Sequence, residues 1–286
     1  MNIDPLDPRL HACRPDLADI RLKGRVKAER FVEGQPYRMT APVVDVRKAP
    51  RYDSAMISQL ICGQDVLVFE QQEGFAWVQS EDDGYVGYIN DAVLEPRTAA
   101  LTHRVAVPRT FVYPGADLRL SPVIALSMGS RLALVAERET RGTCYGLLAS
   151  GGAVVLAHTK PLAAVESDYV SVAEQFVFTP YLWGGVSGFG LDCSGLVQLA
   201  MSAGGQQVLR DSDMQAATIG QVIEDINALR RGDLVFWQGH VAIMLDRNTV
   251  IHANGSSMDV RAEPLQKVCK RMGPHKGVPL CLRRPS

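Results

Sequence analysis

The stretch that decides the fold is Pro180-Tyr181-Leu182-Trp183-Gly184-Gly185, which runs through Gly188 and Gly190 to Leu191-Asp192-Cys193-Ser194-Gly195-Leu196. A glycine-rich approach leads into an acid–cysteine pair, and an apolar-periodic run follows. Leu196, Val197, Ala200 and Ala203 recur at i, i+1, i+4 and i+7, which is the spacing of one helix face. Asp192 is a favourable N-cap and Gly204-Gly205 a favourable stop. The pattern predicts a helix with Cys193 in its first turn. Backbone N–H groups point outward there and the dipole favours an anion. A thiol so placed is expected to have a lowered pKa and to act as a nucleophile.

Upstream, residues 167–178 read as a helix with Val170, Ala173, Phe176 and Val177 on one face and Ser167 or Asp168 as cap. Downstream, a short helix is expected after Arg210-Asp211-Ser212. The run 231–237 then leads to 239–245, with a turn at 246–249 and the next strand at 250–253. Helix first and antiparallel strands after is an α+β pattern. A thiol hydrolase needs a thiolate, an imidazole to pair with it and a third polar group to orient the imidazole. Cys193, His240 and His252 supply those types in that order. Taken singly, each has a blander reading: a small buried cysteine, or a satisfied core histidine. The histidines must also share one side of their hairpin. Side chains alternate with period two, so the loop between paired ends must be odd in length unless a bulge intervenes.

The N-terminal half has a different texture. β-rich runs at 42–46, 64–69, 75–79 and 85–89 are separated by turn signals at Gly63, Gly74 and Asp82-Asp83-Gly84. Short strands so spaced suggest a small barrel. A second set at 104–107, 110–113, 131–135, 144–148 and 153–156 follows, and Arg119 to Pro122 echoes Arg47 to Pro50. This reads as an internal repeat of the barrel. Before it, residues 1–40 form a mixed-charge lead-in with one helix candidate at 15–29.

Thirty Lys+Arg against 31 Asp+Glu leave a net charge of -1, which gives no electrostatic argument for nucleic acid. No apolar run is long enough to span a bilayer. The first residues lack a basic and then apolar signal pattern, and the six cysteines show no CxxC spacing. The expectation is a cytoplasmic protein with reduced thiols, no cofactor and no metal. Oligomeric state stays open.

Together, P-Y-L-W-G-G…D-C-S-G-L, R-D-S-x-x-Q, R-G-D-L-V-F-W, G-H-V-A-I-M and V-I-H-A resemble the NlpC/P60 family of papain-like cysteine peptidases. The order R-x-x-P, W-V-x and D-G-Y-x-G-Y-I resembles a bacterial SH3 domain. The resemblance implies a papain-like NlpC/P60 catalytic domain at 163–286. Before it would lie the lead-in at 1–40 and SH3-like barrels at 41–97 and 98–162. Cys193 would be the nucleophile and His240 the base. His252 would orient His240 in a triad without a carboxylate, and Tyr181 would help hold the oxyanion.

Family members cleave the bond between D-γ-glutamyl and a diamino acid in murein peptides. Those with SH3-like domains that act in recycling require a free N-terminal L-Ala. On that likeness the substrate is L-Ala-γ-D-Glu-diamino acid. Asp211 would meet the L-Ala amine, with Ser212 and Arg210 near the D-Glu carboxylate. Asp211 reads equally well as a helix N-cap, and Tyr85, the candidate from the first barrel, equally well as a core aromatic. The second barrel is expected to be structural. Alternatives are a wall-lytic hydrolase, a same-fold amidase or acyltransferase, and a non-enzymatic SH3-type peptide binder. A zinc protein is disfavoured by the absence of ligand spacing.

Overall fold

The structure is a computed structural model and describes residues 6–97, 99–272 and 278–285. Residues 1–5 of the lead-in, residue 98 at the expected start of the second barrel, and residues 273–277 and 286 of the expected catalytic domain lie outside that range. The chain divides into two compact units. One is Met1–Val105 with Thr110–Leu162; the other is Ala163–Ser286 with Ala106–Arg109.

The first unit repeats itself. Strands Val43–Arg47, Met56–Ile61, Asp65–Gln72, Phe75–Ser80 and Val86–Asn90 lie in the spatial order second, first, fifth, fourth, third. Strands Arg109–Tyr113, Ile124–Ser127, Leu134–Thr140, Thr143–Leu148 and Ala153–Val155 take the same order. The likeness reaches the turns. The third and fourth strands are joined through Glu73-Gly74 (φ 52° and 81°) in one barrel and Arg141-Gly142 (φ 56° and 78°) in the other. Both are two-residue hairpins with positive φ at each central position, the choice that matches strand twist. Each hairpin also has a register shift, between Val68 and Glu70 or between Leu134 and Ala136. Each fifth strand then enters a 3-10 turn, Asp91–Val93 or Leu156–His158.

The lead-in corrects the sequence reading. Residues 15–29 hold no α-helix; Leu17–Asp19 is a strand that pairs in parallel with Arg30–Val32, and Ile20–Leu22 is a 3-10 turn. The polar spacing that suggested a helix was overruled by packing. Leu17 sits in a buried cluster with Ala12, Phe69, Trp77 and Val86, and Arg14 lies 4.5 Å over the Trp77 ring. Strand Gln35–Met39 joins the first barrel's sheet directly. The lead-in is therefore part of that barrel's core rather than a separate segment.

The second unit is built on a six-stranded antiparallel sheet. Its strands are β1 (Gln221–Ile223), β2 (Leu234–Trp237), β3 (His240–Met244), β4 (Thr249–Asn254), β5 (Asp259–Pro264) and β6 (Cys281–Arg284), in the order β1-β6-β2-β3-β4-β5. Among the described residues four helices accompany it: α1 (Tyr169–Glu174), α2 (Cys193–Ala203), α3 (Ser212–Thr218) and α4 (Leu265–Met272). Helix α1 is shorter than the periodicity suggested. Asp168 caps it as expected, but the chain turns away after it and Phe178 adopts a positive φ of 69°. Leu265 and Val268 of α4 pack on Val235, Trp237, Ala242, Met244 and Val250 of the sheet. Helix α2 packs against β3 and β4.

Glycines in the first unit give a paired test. Gly63 (φ 82°) lies where an added Cβ would stand 2.3 Å from the Arg131 carbonyl oxygen, whereas Gly74 (φ 81°) faces open space. Both substitutions to alanine carry the left-handed penalty of roughly 1–2 kcal/mol. Gly63→Ala is expected to cost clearly more than Gly74→Ala in urea unfolding, because only the former forces the barrels apart. Equal costs would show that the contact yields freely.

Candidate active site

Helix α2 begins where the sequence placed it. Asp192 is the N-cap, and its Oδ1 accepts from the Gly195 N–H at 2.7 Å. Its Oδ2 accepts from the Gly184 N–H at 2.9 Å, so one carboxylate fastens the glycine loop to the helix start. The glycines permit a close approach: a Cβ on Gly195 would lie 2.1 Å from the Gly185 carbonyl oxygen. Cys193 is the first helical residue and the buried member among the six cysteines. Backbone N–H groups of Val241 and Ser194 reach its sulfur, which places it against the start of β3.

The two histidines meet. Strands β3 and β4 pair Ile243 with Ile251 and Met244 with Val250, which leaves residues 245–249 between the paired ends. That count is odd, so the parity condition holds without a bulge. His240 Nε2 lies 2.8 Å from His252 Nδ1. Gly239 (φ 73°) turns the chain so that His240 opens β3 beside the Trp237 ring, 5.8 Å away between centroids. His252 is almost fully buried, and its Nε2 lies 3.1 Å from Glu263 Oε2. The sequence reading had no carboxylate behind the histidines. Glu263 was missed because only the register, His252 opposite Arg261, puts it on the histidine's face two residues on.

Tyr181 is brought to the site. It bridges to Leu191, two residues before the cysteine, and its N–H donates to the Met258 carbonyl at 2.9 Å. Burial, and after it the neighbouring Cys193 and Asp192, push its phenol up to about 12.

Arg210 is placed differently from the expectation. It is 1% exposed; its Nη2 donates to Asp192 Oδ2 at 2.6 Å and its Nη1 to Asp192 Oδ1 and Ser194 Oγ. A guanidinium so enclosed holds the helix cap and does not present itself to a ligand carboxylate. Asp211 occupies the N-cap position of α3 but makes no side-chain capping bond, and Ser212 is the first helical residue. Gln215 of α3, named in the motif but given no role, is fully buried and donates to the Ser194 and Leu209 carbonyl oxygens. Tyr85 belongs to the first unit and is 6% exposed.

The electrostatics depart from expectation at Cys193. Burial pushes the thiol up to about 12, with the Asp192 charge adding to it; the helix-start N–H groups do not outweigh desolvation. Burial likewise pushes His240 down to about 3, helped by His252 and Arg271. Both shifts favour the uncharged forms, thiol and imidazole.

A helix-borne thiol set against strand-borne imidazoles on an antiparallel sheet defines the papain-like α+β class. The NlpC/P60 family model matches residues 178–272, and the bacterial dipeptidyl-peptidase SH3 domain model matches residues 46–94. The chain thus holds an NlpC/P60 domain, with a bacterial dipeptidyl-peptidase SH3 domain ahead of it. It is similar to dipeptidyl-peptidase 6 of Lysinibacillus sphaericus, 25% identical over 79% of this chain and 90% of that protein. It is similar also to gamma-D-glutamyl-L-lysine dipeptidyl-peptidase of Bacillus subtilis, 28% identical over 73% and 76%. A solved NlpC/P60 family protein from Bacillus cereus shares the fold, with a TM-score of 0.73 at 20% identity over 87% of this chain and 99% of that one.

The Asp192–Arg210 pair can be tested by itself. Arg210→Met leaves a buried carboxylate without its cation, and such losses typically cost about 3–5 kcal/mol. Urea unfolding of the variant is expected to show a loss of that order. A loss below about 1 kcal/mol, the range of an exposed pair, would contradict the buried role.

Proposed function

We propose that this protein is a cysteine endopeptidase that cleaves the γ-D-glutamyl–diamino acid bond of murein peptides, with preference for a free N-terminal L-Ala. The observation that carries the reading is the His240–His252 hydrogen bond at 2.8 Å, on strands whose residue Val241, next to His240, donates its N–H to the sulfur of the cysteine that opens α2. The relatives named dipeptidyl-peptidase and the SH3 domain of that class support the substrate.

The chemistry starts from neutral partners. As the Cys193 sulfur attacks the γ-carbonyl carbon, its proton passes to His240. The carbonyl oxygen becomes an oxyanion, met by the Tyr181 phenol and helix-start N–H groups. His240 then gives the proton to the leaving amine of the diamino acid. A thioester of L-Ala-γ-D-Glu remains on Cys193. Water attacks it with His240 again as base, and the free acid and thiol are restored. Proton transfer of this kind contributes about a hundred- to ten-thousandfold to rate. Desolvation makes His240 a weak base at rest. It also lets the oxyanion's hydrogen bonds act in a low dielectric, where they are stronger.

Specificity for a free amine falls to Asp211 in this reading. A carboxylate facing an ammonium rewards the free N-terminus, and acylation of that amine removes the positive charge that it attracts. Ser212 serves the D-Glu α-carboxylate. Arg210 is assigned to the helix cap instead, on the burial described above.

The test is hydrolysis of L-Ala-γ-D-Glu-diaminopimelate and of its N-acylated form by the full chain and by Cys193→Ala. The expected result is release of L-Ala-γ-D-Glu by the unmodified chain alone, and at least tenfold slower cleavage of the blocked peptide. Equal cleavage of both peptides would mean a wall-lytic enzyme with an open cleft. No cleavage of either would overturn the peptidase reading in favour of transfer or binding.

A further inference from the structure

We infer that Glu263 is a positioning residue of the site: it fixes the tautomers of both histidines so that His240 turns a bare nitrogen to Cys193. The inference rests on the reading of His240 as the base and adds a member that the Cys193–His240–His252 set lacks.

One chain of hydrogen bonds links α4 to the histidines. Lys267 Nζ lies 2.9 Å from Glu263 Oε1, and Arg271 reaches both oxygens, at 3.1 Å to Oε1 and 2.7 Å to Oε2. Ammonium and guanidinium groups can only donate. Both carboxyl oxygens are thus acceptors, and Glu263 is held as a carboxylate well below its ordinary range, first by Arg271. A carboxylate cannot donate, so the 3.1 Å contact with His252 requires the proton on His252 Nε2.

The rest follows by elimination. A neutral imidazole carries one N–H, and burial keeps His252 neutral. His252 Nδ1 is then an acceptor. The 2.8 Å contact therefore needs the proton on His240 Nε2. Neutral His240 is left with a lone pair on Nδ1, the one ring nitrogen not turned to His252, and that nitrogen can take the thiol proton. The same chain serves the charged state. When His240 becomes imidazolium, its Nε2–H donates into a line that ends on the Glu263 charge.

The geometry of β4, β5 and α4 makes this possible. Glu263 pairs with Val250 across the strands, two residues from the Arg261–His252 pair, so it shares the face of His252. Lys267 and Arg271 follow at i+4 and i+8, on the side of α4 that meets it. The charged groups that bear on the histidines are Glu263 and Arg261 on β5 and Arg271 on α4. From the α2 side, Cys193 adjoins the start of β3, with Asp192 and Arg210 paired behind it.

The first arm of the test reads tautomers without turnover. Nitrogen NMR of the histidine-labelled full chain carrying Cys193→Ala is expected to show both site imidazoles protonated on Nε2 and bare on Nδ1. A proton on Nδ1 of either ring would overturn the inference. This arm stands even if no murein peptide is cleaved, so its failure is separable from failure of the proposed function.

The second arm compares Glu263→Gln with the unmodified chain in hydrolysis of L-Ala-γ-D-Glu-diaminopimelate. The expected result is a fall in kcat/KM of roughly tenfold or more, a part of the roughly hundred- to ten-thousandfold that such proton transfer contributes. The acid limb of the pH profile should also move to lower pH, because an imidazole deprived of the nearby negative charge holds its proton less tightly. A merely structural role lowers the rate at every pH and leaves the limb where it was. That outcome, or an unchanged rate, would overturn the inference.

Discussion

The buried contact between Asp192 and Arg210 is what the candidate site hangs on. The Asp192 carboxylate accepts from the Gly184 and Gly195 N–H groups and from both terminal nitrogens of Arg210. It joins the glycine loop, the start of α2 and the segment that enters α3 at one point. Cys193 is the next residue, so its place is set by that point. Gln215 adds a second tie from α3 to the Ser194 and Leu209 carbonyl oxygens. An ion pair in such a place does not need to add much net stability to matter. Its effect is to fix where a helix begins.

The second fixed point lies across the sheet. His240 opens β3, His252 lies within β4, Glu263 near the end of β5, and Arg271 in α4. Each comes from a different element, and each element is held by its own apolar packing. The charge of Glu263 is thus carried to the thiol's side of the site without any group leaving a hydrogen bond. Burial disfavours the charged forms of Cys193 and His240, so the direction of the first proton transfer depends on how the imidazoles are arranged.

Much of this was legible in the sequence, for physical reasons. Periodicity and the Asp192 cap located α2 to the residue, because the cap and the apolar stripe agreed. The odd loop length between the histidine strands followed from period two alone. Barrel strands showed through their turn residues, and the echo of Arg47 to Pro50 by Arg119 to Pro122 pointed to the second barrel; the matching Glu73-Gly74 and Arg141-Gly142 turns appear only in the structure. The lead-in was misread because its charges mimicked a helix face, while Leu17 is held by long-range contacts with Phe69 and Trp77. The lowered thiol pKa was misjudged because helix-end effects are local and visible, whereas desolvation depends on everything packed around the sulfur. Arg210 looked like a ligand-binding cation because sequence does not reveal burial. Glu263 stayed hidden because its role depends on the pairing of β4 with β5.

The central claim is that the peptide bond is broken by covalent attack from Cys193. The most direct measurement is mass spectrometry of acid-quenched reactions of the full chain with L-Ala-γ-D-Glu-diaminopimelate during the first turnovers. The expected result is an acyl adduct of L-Ala-γ-D-Glu on the peptide that contains Cys193, which disappears as product accumulates. Turnover with no adduct in the quenched samples, or an adduct on another of the six cysteines, would contradict the account.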